Sequence, residues 1–381
     1  MNIGILPTTY PNIYNNNSAI FVQDQAEALV KNGVGVTVIG AIPISFKYIW
    51  SLKLFKFGYF MSSKNGVEIK LILYPSIPKL KYFNNFIRDI LNKNLLKNHY
   101  LNNKIDLIHV HNATAGNAAL WFKNNFNIPY CITEHSSAYA RNLVSKKKIK
   151  NFRNIYENSA LNIAVSQVFS KLLENIFNLN FQYIPNVVDT NYFKNNAVKI
   201  EKTNFKFINI ANVNKNKNQK LLIQSFYKAF NNNVGIKLDI YGSGPELQNL
   251  NKEIKRLKLE NQVALHGFAS REVVLQALQN SDAFVLSSEY ETFGVVLIEA
   301  MSCGLPVIST KCGGPESIII NDKLGLLVEK NNVNALSNGM NDILNKKYDS
   351  QDIREYVIGS FSQIAIANKL KVVYKEIIDA N

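Results

Sequence analysis

Two glutamates beside an apolar segment are the residues of this 381-residue sequence whose spacing first suggests chemistry. Glu291 precedes Gly294, and Glu299 lies within the apolar run that Gly304 ends. This pattern predicts a helix that begins near Gly294, and the free amide groups of its first turn would attract a phosphate. At 1.5 Å per residue, Glu299 lies about 7 Å further along the helix, close to the distance between a diphosphate and its ribose. The spacing therefore predicts a site for a nucleoside diphosphate.

The two carboxylates would have different tasks in such a site. Glu299 can accept hydrogen bonds from two adjacent ribose hydroxyls, each contributing roughly 1.5 to 3 kcal/mol. Glu291, on the turn before the helix, would face another part of the same ligand. Alternatively, both acids are solvated and only stabilise the beginning of a helix, and their spacing leaves this possibility open.

The segments that must position these residues follow the pattern of parallel sheets covered by helices. Short β-rich apolar runs alternate with helical patterns along the chain, so we expect two doubly wound, Rossmann-like α/β domains in tandem. The first would contain residues 1–190 and a C-terminal amphipathic helix at 362–381, and the second would contain 191–361. Ligands of such folds bind at the carboxyl ends of the strands, in a cleft between the domains.

Composition restricts the class of protein. Lys and Arg number 43 against 28 Asp and Glu, and this net charge of +15 favours a negatively charged partner. The three cysteines, Cys131, Cys303 and Cys312, are too few for a disulfide framework, which favours a reducing compartment. The sequence shows no secretion signal and no apolar run of about 18 residues, so we expect a cytoplasmic protein.

Two segments of the first half mix lysines with bulky apolar side chains, namely Phe46–Phe57 and Lys79–Phe83. Aromatic rings that enter the headgroup region, together with lysines near anionic lipids, are typical of proteins bound to a membrane surface. We therefore expect peripheral association with the inner face of the plasma membrane. An ordinary amphipathic helix packed on a sheet, with its lysines outward, would explain the same composition.

The segment around the glutamates resembles the donor-site signature of the retaining glycosyltransferases of family 4. Glu291 and Glu299 are followed by Ala300-Met301, by Cys303-Gly304-Leu305-Pro306-Val307 and by Gly313-Gly314, as in that signature. Further segments match the family in its order: Ile108–His111, Thr133–His135, Ile184–Asp189, Lys217 and Gly242–Pro245. The resemblance covers nearly the whole chain and implies the GT-B fold, in which two Rossmann-like domains face each other across a cleft.

The resemblance also implies an activity. Such an enzyme moves a hexose from a UDP- or GDP-linked donor to a hydroxyl of a glycan or lipid-linked acceptor and keeps the anomeric configuration. Relatives of this kind synthesise bacterial surface polysaccharides and glycoconjugates. The donor would bind to the second domain and the acceptor to the first. No cofactor and no metal are expected, because the nucleotide sugar is a substrate and the family does not depend on a metal.

The resemblance assigns roles to individual residues. It implies catalytic roles for Lys217, which would neutralise the diphosphate, for Glu291, which would bind a hydroxyl of the sugar, and for His135, close to that sugar. His135 as a purely structural histidine stays an alternative, and Phe268 could lie against the nucleobase or in the core. The substrate-binding residues that the matches imply are Glu299, Phe293, Gly294, Val295, Asn212, Gly242, Phe268, His111 and Ala19.

Two departures from the family pattern support other functions. Asn212 stands where most relatives have an arginine, so a neutral amide replaces a guanidinium. Ala19 lies in a segment where the family has a glycine-rich turn. Both motivate the alternative of a nucleotide-sugar-binding protein without transferase activity.

Two other functions have weaker support in the sequence. A nucleic-acid-binding protein is supported only by the net charge. A metal pair at His109 and His111 has no obvious third ligand.

Overall fold

The computed structural model describes residues 1–46, 49–50, 55–195 and 204–381, except for the side chain of Lys81. The chain forms two compact units. The first consists of Met1–Val187 with Gln363–Asn381, and the second of Val188–Ser362. The sequence predicts domain boundaries after residue 190 and before residue 362. In the structure the chain leaves the first unit after Val187 and returns to it at Gln363.

The first unit is built on an eight-stranded sheet with the order β3-β4-β2-β1-β5-β6-β7-β8. All neighbouring strands are parallel except β3 and β4. The strands are β1 (Asn2–Pro7), β2 (Gly35–Ser45), β3 (Gly58–Lys64), β4 (Val67–Ser76), β5 (Leu107–His111), β6 (Tyr130–Glu134), β7 (Leu161–Ala164) and β8 (Gln182–Tyr183).

Strand β3 differs in direction from the other strands of this sheet. It pairs antiparallel with β4 at the edge of the sheet. Its side chains are exposed with the exception of one half-buried position, so its sequence has no alternation of apolar and polar residues from which to predict a strand. The segment Phe46–Phe57 lies just before it, and residues 47–48 and 51–54 of that segment are outside the described residues.

Helices cover the first sheet. They are α1 (Ile20–Lys31), α2 (Lys81–Asn102), α3 (Gly116–Phe126), α4 (Lys146–Glu157), α5 (Gln167–Phe177) and the C-terminal helix (Gln363–Asp379). The C-terminal helix packs against α1, and its apolar residues Ile366, Leu370 and Tyr374 join the core formed by β1, β2 and β4. Periodicity alone does not indicate which domain this helix joins, whereas the contacts place it in the first unit.

The second unit contains a six-stranded parallel sheet with the order β11-β10-β9-β12-β13-β14. Its strands are β9 (Phe205–Ile210), β10 (Ile236–Tyr241), β11 (Val263–Gly267), β12 (Ala283–Leu286), β13 (Val307–Thr310) and β14 (Gly325–Val328). Its helices are α6 (Gln219–Phe230), α7 (Leu247–Arg256), α8 (Arg271–Gln279), α9 (Val295–Ser302), α10 (Val333–Asn345) and α11 (Ser350–Phe361).

Each sheet has one place where the strand order reverses, between β1 and β5 in the first unit and between β9 and β12 in the second. Strands β5, β12 and β13 are buried along their whole length, because helices cover both faces of the sheets. The loops that follow the reversing strands diverge and leave a crevice at the carboxyl edge, where folds of this kind bind ligands. We call these two places the first and second switch points. No helix among the described residues is long and apolar enough to span a membrane.

Candidate functional site

Backbone hydrogen bonds hold the loop after β12 at the second switch point. The backbone amide of Glu291 donates to the carbonyl of Cys312 at 3.0 Å, and the amide of Gly314 donates to the carbonyl of Glu291 at 2.8 Å. A Cβ atom on Gly314 would lie only 2.2 Å from the carbonyl oxygen of Phe293, so glycine is required for the two loops to touch. The glycines after β13 therefore fix the loop that presents Glu291.

Lys217 and Glu291, both predicted to be catalytic, form an ion pair. Lys217 ends the short 3₁₀ turn Lys215–Lys217 that follows β9, and its carbonyl accepts a hydrogen bond from Ser287 Oγ at 2.9 Å. Ser288 Oγ donates to Glu291 Oε1 at 2.7 Å. The pair retains some exposure, with 21% of the Lys217 side chain and 13% of the Glu291 side chain accessible. The site therefore offers a cation and a carboxylate side by side to a ligand.

Helix α9 begins directly after this loop. Gly294 precedes it with φ 109°, in the left-handed region, and no side chain caps the first turn. Half-buried Val295 is the first helical residue, and Phe293 is 1% exposed because its ring packs against Phe361 at a centroid distance of 5.8 Å. Phe293 is therefore buried, and its substrate-binding role stays a prediction.

Glu299 lies further along α9 and is half-buried. Burial raises the pKa of the Cys303 thiol to about 12, and the nearby Glu299 carboxylate adds to that rise. Burial also raises the pKa of Tyr192, again with a contribution from Glu299, while Arg271 opposes it. Glu299 is thus half-buried and lies close enough to Cys303 and Tyr192 to influence their pKa values.

Three more predicted residues follow the carboxyl ends of β9, β10 and β11, on the same edge of the sheet. Asn212 is exposed, and its carbonyl accepts a hydrogen bond from Gln219 Nε2 at 3.1 Å. Gly242 has φ 142°, and a Cβ there would lie 1.8 Å from the carbonyl oxygen of Ala211, so the turn requires glycine. Phe268 is 68% exposed. Its alternative interpretation as a core residue is therefore wrong.

The first switch point contains a pocket of about 480 Å³. The loops after β1, β5 and β6 and the first turn of α1 surround it. Ala19 precedes α1 with φ 49° and ψ 44°, a left-handed conformation that costs an L-residue roughly 1 to 2 kcal/mol. A glycine would adopt this conformation without that cost, which explains why the family has a glycine-rich turn in this segment. The pocket is lined by Thr8, Thr9, Ala19, Phe21, Val22, His111, Asn112, Thr114, His135, Ser136 and Ser137.

Three histidines lie side by side beneath this pocket. His109 Nδ1 is 2.6 Å from the hydroxyl of Tyr374 on the C-terminal helix, and its Nε2 is 2.7 Å from Thr133 Oγ1. The rings of His109 and His111 stack with centroids 4.5 Å apart. His111 Nδ1 is 2.9 Å from His135 Nε2. The structure thus brings the two predicted residues His111 and His135 into direct contact.

Burial keeps these rings uncharged. It lowers the pKa of His109 to about 3, and it lowers that of His135 to about 3 as well, with a smaller contribution from repulsion between the protonated forms of His135 and His109. The pKa of His111 also lies well below its ordinary value, first because of burial and then because of the two neighbouring histidines. The pocket therefore presents neutral polar groups.

Glu134 organises the loop that carries His135, a role that the sequence did not suggest. Its carboxylate accepts from the backbone amides of Ala113, His135 and Ser136 at 2.9 to 3.1 Å and from the Tyr156 hydroxyl at 2.7 Å. Burial raises its pKa, and these hydrogen bonds oppose the rise. The sequence does contain a signal for this role, namely an acidic residue at the end of an apolar strand. Such a residue is expected to be buried, and a buried carboxylate needs hydrogen-bond donors around it.

Asn112 is a second residue without a predicted role. It has φ 70°, its Oδ1 accepts from the amide of His135 at 3.0 Å, and its Nδ2 donates to Thr8 Oγ1 at 3.0 Å. It therefore ties together the loops after β1, β5 and β6.

The three cysteines are buried free thiols. Among the described residues, no group of three or more His, Cys, Asp or Glu side chains could hold a metal ion.

Two family models match the chain. One, described as glycosyl transferases group 1, matches residues 192–359, and the other, described as glycosyltransferase family 4, matches residues 18–192. A curated relative, N-acetyl-alpha-D-glucosaminyl L-malate synthase from Bacillus anthracis, is 29% identical over 212 residues. That match covers 53% of this chain and 55% of the relative, so the chain spans little more than half of the relative's length.

Solved structures share the fold along the whole chain. Sucrose-phosphate synthase from Thermosynechococcus elongatus has a TM-score of 0.80 at 20% identity and covers 100% of both chains. HepE from Anabaena, solved in complex with UDP and glucose, has a TM-score of 0.75 at 18% identity, with 98% of this chain and 99% of that one covered.

Proposed function

Because the chain belongs to the glycosyltransferases of group 1 and family 4 and has the GT-B fold, we propose that it transfers a hexose from a nucleoside diphosphate sugar to an acceptor hydroxyl, with retention of configuration. The observation that carries this proposal is the Lys217–Glu291 ion pair beside the uncapped first turn of α9. A cation, a carboxylate and free helix amides together suit a diphosphate whose sugar must be oriented.

Each group at the second switch point has a task in this reaction. Lys217 and the first amides of α9 stabilise the negative charge that grows on the departing diphosphate. Glu291 accepts from a hydroxyl of the transferred sugar, and Glu299 accepts from the ribose hydroxyls. Asn212 supplies a neutral donor, so the diphosphate depends more strongly on Lys217. The departing phosphate takes the proton of the acceptor hydroxyl, and no metal is needed. Exposed Phe268 lies against the nucleobase.

The acceptor binds in the pocket of the first switch point. Neutral imidazoles and hydroxyl side chains, such as those of Thr8, Thr9 and Ser136, exchange hydrogen bonds with a polyhydroxyl ligand without the desolvation cost of a charge. His135 lines this pocket, and the family resemblance implies its role near the transferred sugar. The acceptor is therefore a glycan or a lipid-linked sugar used in cell-surface polysaccharide or glycoconjugate synthesis.

A basic aromatic surface supports a membrane-bound acceptor. We define it as Tyr82, Phe83 and Phe86, which are 65%, 46% and 61% exposed on α2, together with Lys147, whose Nζ lies 5.8 Å from the Tyr82 ring. Exposed rings beside lysines partition into the headgroup region of anionic lipids, where each lysine contributes about 1 kcal/mol. The protein accordingly works at the inner face of the plasma membrane as a peripheral protein.

Nucleotide binding and transfer are tested with purified protein. A thermal-shift panel of nucleotides and nucleotide sugars should identify the donor, because a ligand at 100 times its Kd stabilises by about 2.7 kcal/mol. UDP sugars come first, because HepE was solved with UDP. Steady release of nucleotide on addition of an oligosaccharide or lipid-linked acceptor excludes the binding-protein alternative that Asn212 suggests. No stabilisation by any nucleotide sugar would overturn the proposal.

Stereochemistry, metal dependence and membrane binding need separate measurements. NMR of the product should show the anomeric configuration of the donor, and excess EDTA should leave the rate unchanged. Sedimentation with phosphatidylglycerol vesicles at low salt should recover the protein, whereas phosphatidylcholine vesicles should not. Combined Tyr82→Ser, Phe83→Ser and Phe86→Ser substitutions should abolish this binding, and Val234→Ser, at a 71% exposed position of the second unit, is the matched control. Equal recovery of all proteins would reject the surface.

A further inference from the structure

Phe21 lines the pocket of the first switch point, and neither the family resemblance nor the proposed transfer uses it. Among the residues that line this pocket, it is the one with a benzene ring. Its side chain is half-buried and packs in part against the core of the first unit. Because the side chain lines the pocket and keeps part of its surface exposed, a ligand in the pocket can touch the ring.

Two neighbouring features fix the position of this ring. Phe21 is the second residue of α1 and follows the left-handed turn that Ala19 makes. Backbone strain of this kind persists only where the surrounding structure enforces it, and it is common at ligand-binding sites. The Phe21 ring also lies against the imidazole of His135, with centroids 4.5 Å apart and ring planes tilted by 39°. The two rings therefore form two walls that meet at an angle.

Hydrogen-bonding groups surround the Phe21 ring on the wall of the pocket. Thr8 and Thr9 belong to the loop after β1, and Ser136 follows β6. An aromatic ring among hydroxyl and amide groups suits a ligand that is apolar on one face and polar at its rim. A pyranose ring has this form, because its C–H bonds gather on one face while its hydroxyls project outward. These C–H groups carry partial positive charge and the face of an aromatic ring is negative, so the two attract each other.

Resting on the function proposed above for this pocket, we propose that Phe21 is an acceptor-binding residue against which one face of a sugar ring stacks. The acceptor hydroxyl is then presented by a pyranose ring rather than by an open-chain alcohol. The pocket volume of about 480 Å³ is within the range of roughly 300–1,000 Å³ that encloses small ligands. Phe21 thereby determines specificity for a sugar ring, whereas the hydroxyl groups around it set the orientation of that ring.

Saturation-transfer NMR tests the stacking without any nucleotide. The probes are methyl β-D-glucopyranoside, methyl β-D-galactopyranoside and methyl α-D-mannopyranoside, and sorbitol is the open-chain polyol for comparison. Saturation of the aromatic protons of the wild type should reach the C–H protons on one face of a pyranoside and should not reach sorbitol. In Phe21→Leu, which keeps an apolar side chain but has no flat ring, this transfer should fall at least about fivefold.

Phe60→Leu is the matched control. Phe60 is also half-buried and packs against the same core, but it is not among the residues that line the pocket. Its variant should give the wild-type transfer. No transfer to any pyranoside in the wild type, equal transfer to sorbitol, or equal transfer in the Phe21 and Phe60 variants would each overturn the proposal. If Phe21→Leu does not fold, Phe21→Met takes its place.

Kinetics supply the second readout. Phe21→Leu should raise the KM for the acceptor about tenfold and leave the KM for the donor unchanged, whereas Phe21→Tyr, which keeps a ring, should stay within about twofold of the wild type. A lower kcat at an unchanged acceptor KM would show that Phe21 only supports His135, and would overturn the inference. Absence of transfer from every nucleotide sugar would refute the proposed function alone, since pyranoside binding is measured without a donor.

Discussion

The two switch points are built on similar sheets and differ in charge. At the second, Lys217, Glu291 and Glu299 surround the start of a helix, and charged groups remain accessible to a ligand. At the first, His111 and His135 are held neutral by burial, and the other residues that line the pocket are uncharged. One architecture thus supports two environments, one in which charge is kept and one in which charge is suppressed. We propose that the former binds a diphosphate and the latter a polyhydroxyl ligand.

The strongest test of this contrast removes the cation of the second switch point. We expect Lys217→Ala to lower kcat about 100- to 1000-fold, because a preorganised charge on the leaving group acts mainly in the transition state. Lys215→Ala changes an exposed lysine on the same 3₁₀ turn and serves as the matched control. Steady-state transfer rates with a labelled donor measure both. A Lys217 variant as fast as the control would show that the charge contrast has no role in catalysis.

Glu299→Ala should have the next largest effect. Loss of hydrogen bonds between a carboxylate and ribose hydroxyls, at roughly 1.5 to 3 kcal/mol, corresponds to a donor Kd raised about 10- to 100-fold. Isothermal titration with the nucleotide measures this change directly. Glu260→Ala, at an exposed position of the same unit, is the control. If the two variants bind alike, the ribose is held elsewhere.

Acid should weaken the first unit through its histidines. The pKa of His109 is about 3 in the folded chain and about 6.5 when unfolded. The neutral ring therefore stabilises the fold fully above pH 6.5, and this stability is lost as the pH falls toward 3. By pH 5, about 2 kcal/mol of the free energy of unfolding should be lost through His109.

Urea unfolding followed by tryptophan fluorescence measures this loss, because Trp50 and Trp121 both belong to the first unit. His109→Gln should be less sensitive to acid than the wild type between pH 7 and pH 5. His266→Gln, in the second unit, should match the wild type in this signal. If the free energy of unfolding of the His109 variant falls with pH as steeply as that of the wild type, burial of the neutral His109 ring does not cause the acid sensitivity of the first unit.

The smallest expected effect concerns Phe268. Stacking of a base on an aromatic ring contributes ~1–3 kcal/mol, and a ring that is 68% exposed should lie at the lower end of that range. Phe268→Ala should therefore raise the nucleotide Kd about fivefold and leave kcat at saturating donor unchanged. Val273→Ala, at a nearby exposed position, provides the comparison. A Kd equal to that of the comparison variant would place the base away from the ring.

The same contrast explains what the sequence could predict. The second site is local in sequence, because Glu291, Gly294 and Glu299 belong to one loop and helix, so spacing alone indicates an anion site. The first site joins distant residues: His109 contacts Thr133 and Tyr374, which are 24 and 265 positions away. No periodicity encodes such contacts. Strand β3 cannot be predicted from the sequence for a different reason, since an exposed edge strand has no buried face to impose alternation.

The hydrogen bond between His109 and Tyr374 has a consequence for how the chain matures on the ribosome. Residues 363–379 are translated after the entire second unit, yet they complete the core and the histidine cluster of the first. The usual order, in which the N-terminal domain folds first during synthesis, is therefore reversed at the final step. The second unit can complete its fold while the first unit still lacks its last helix.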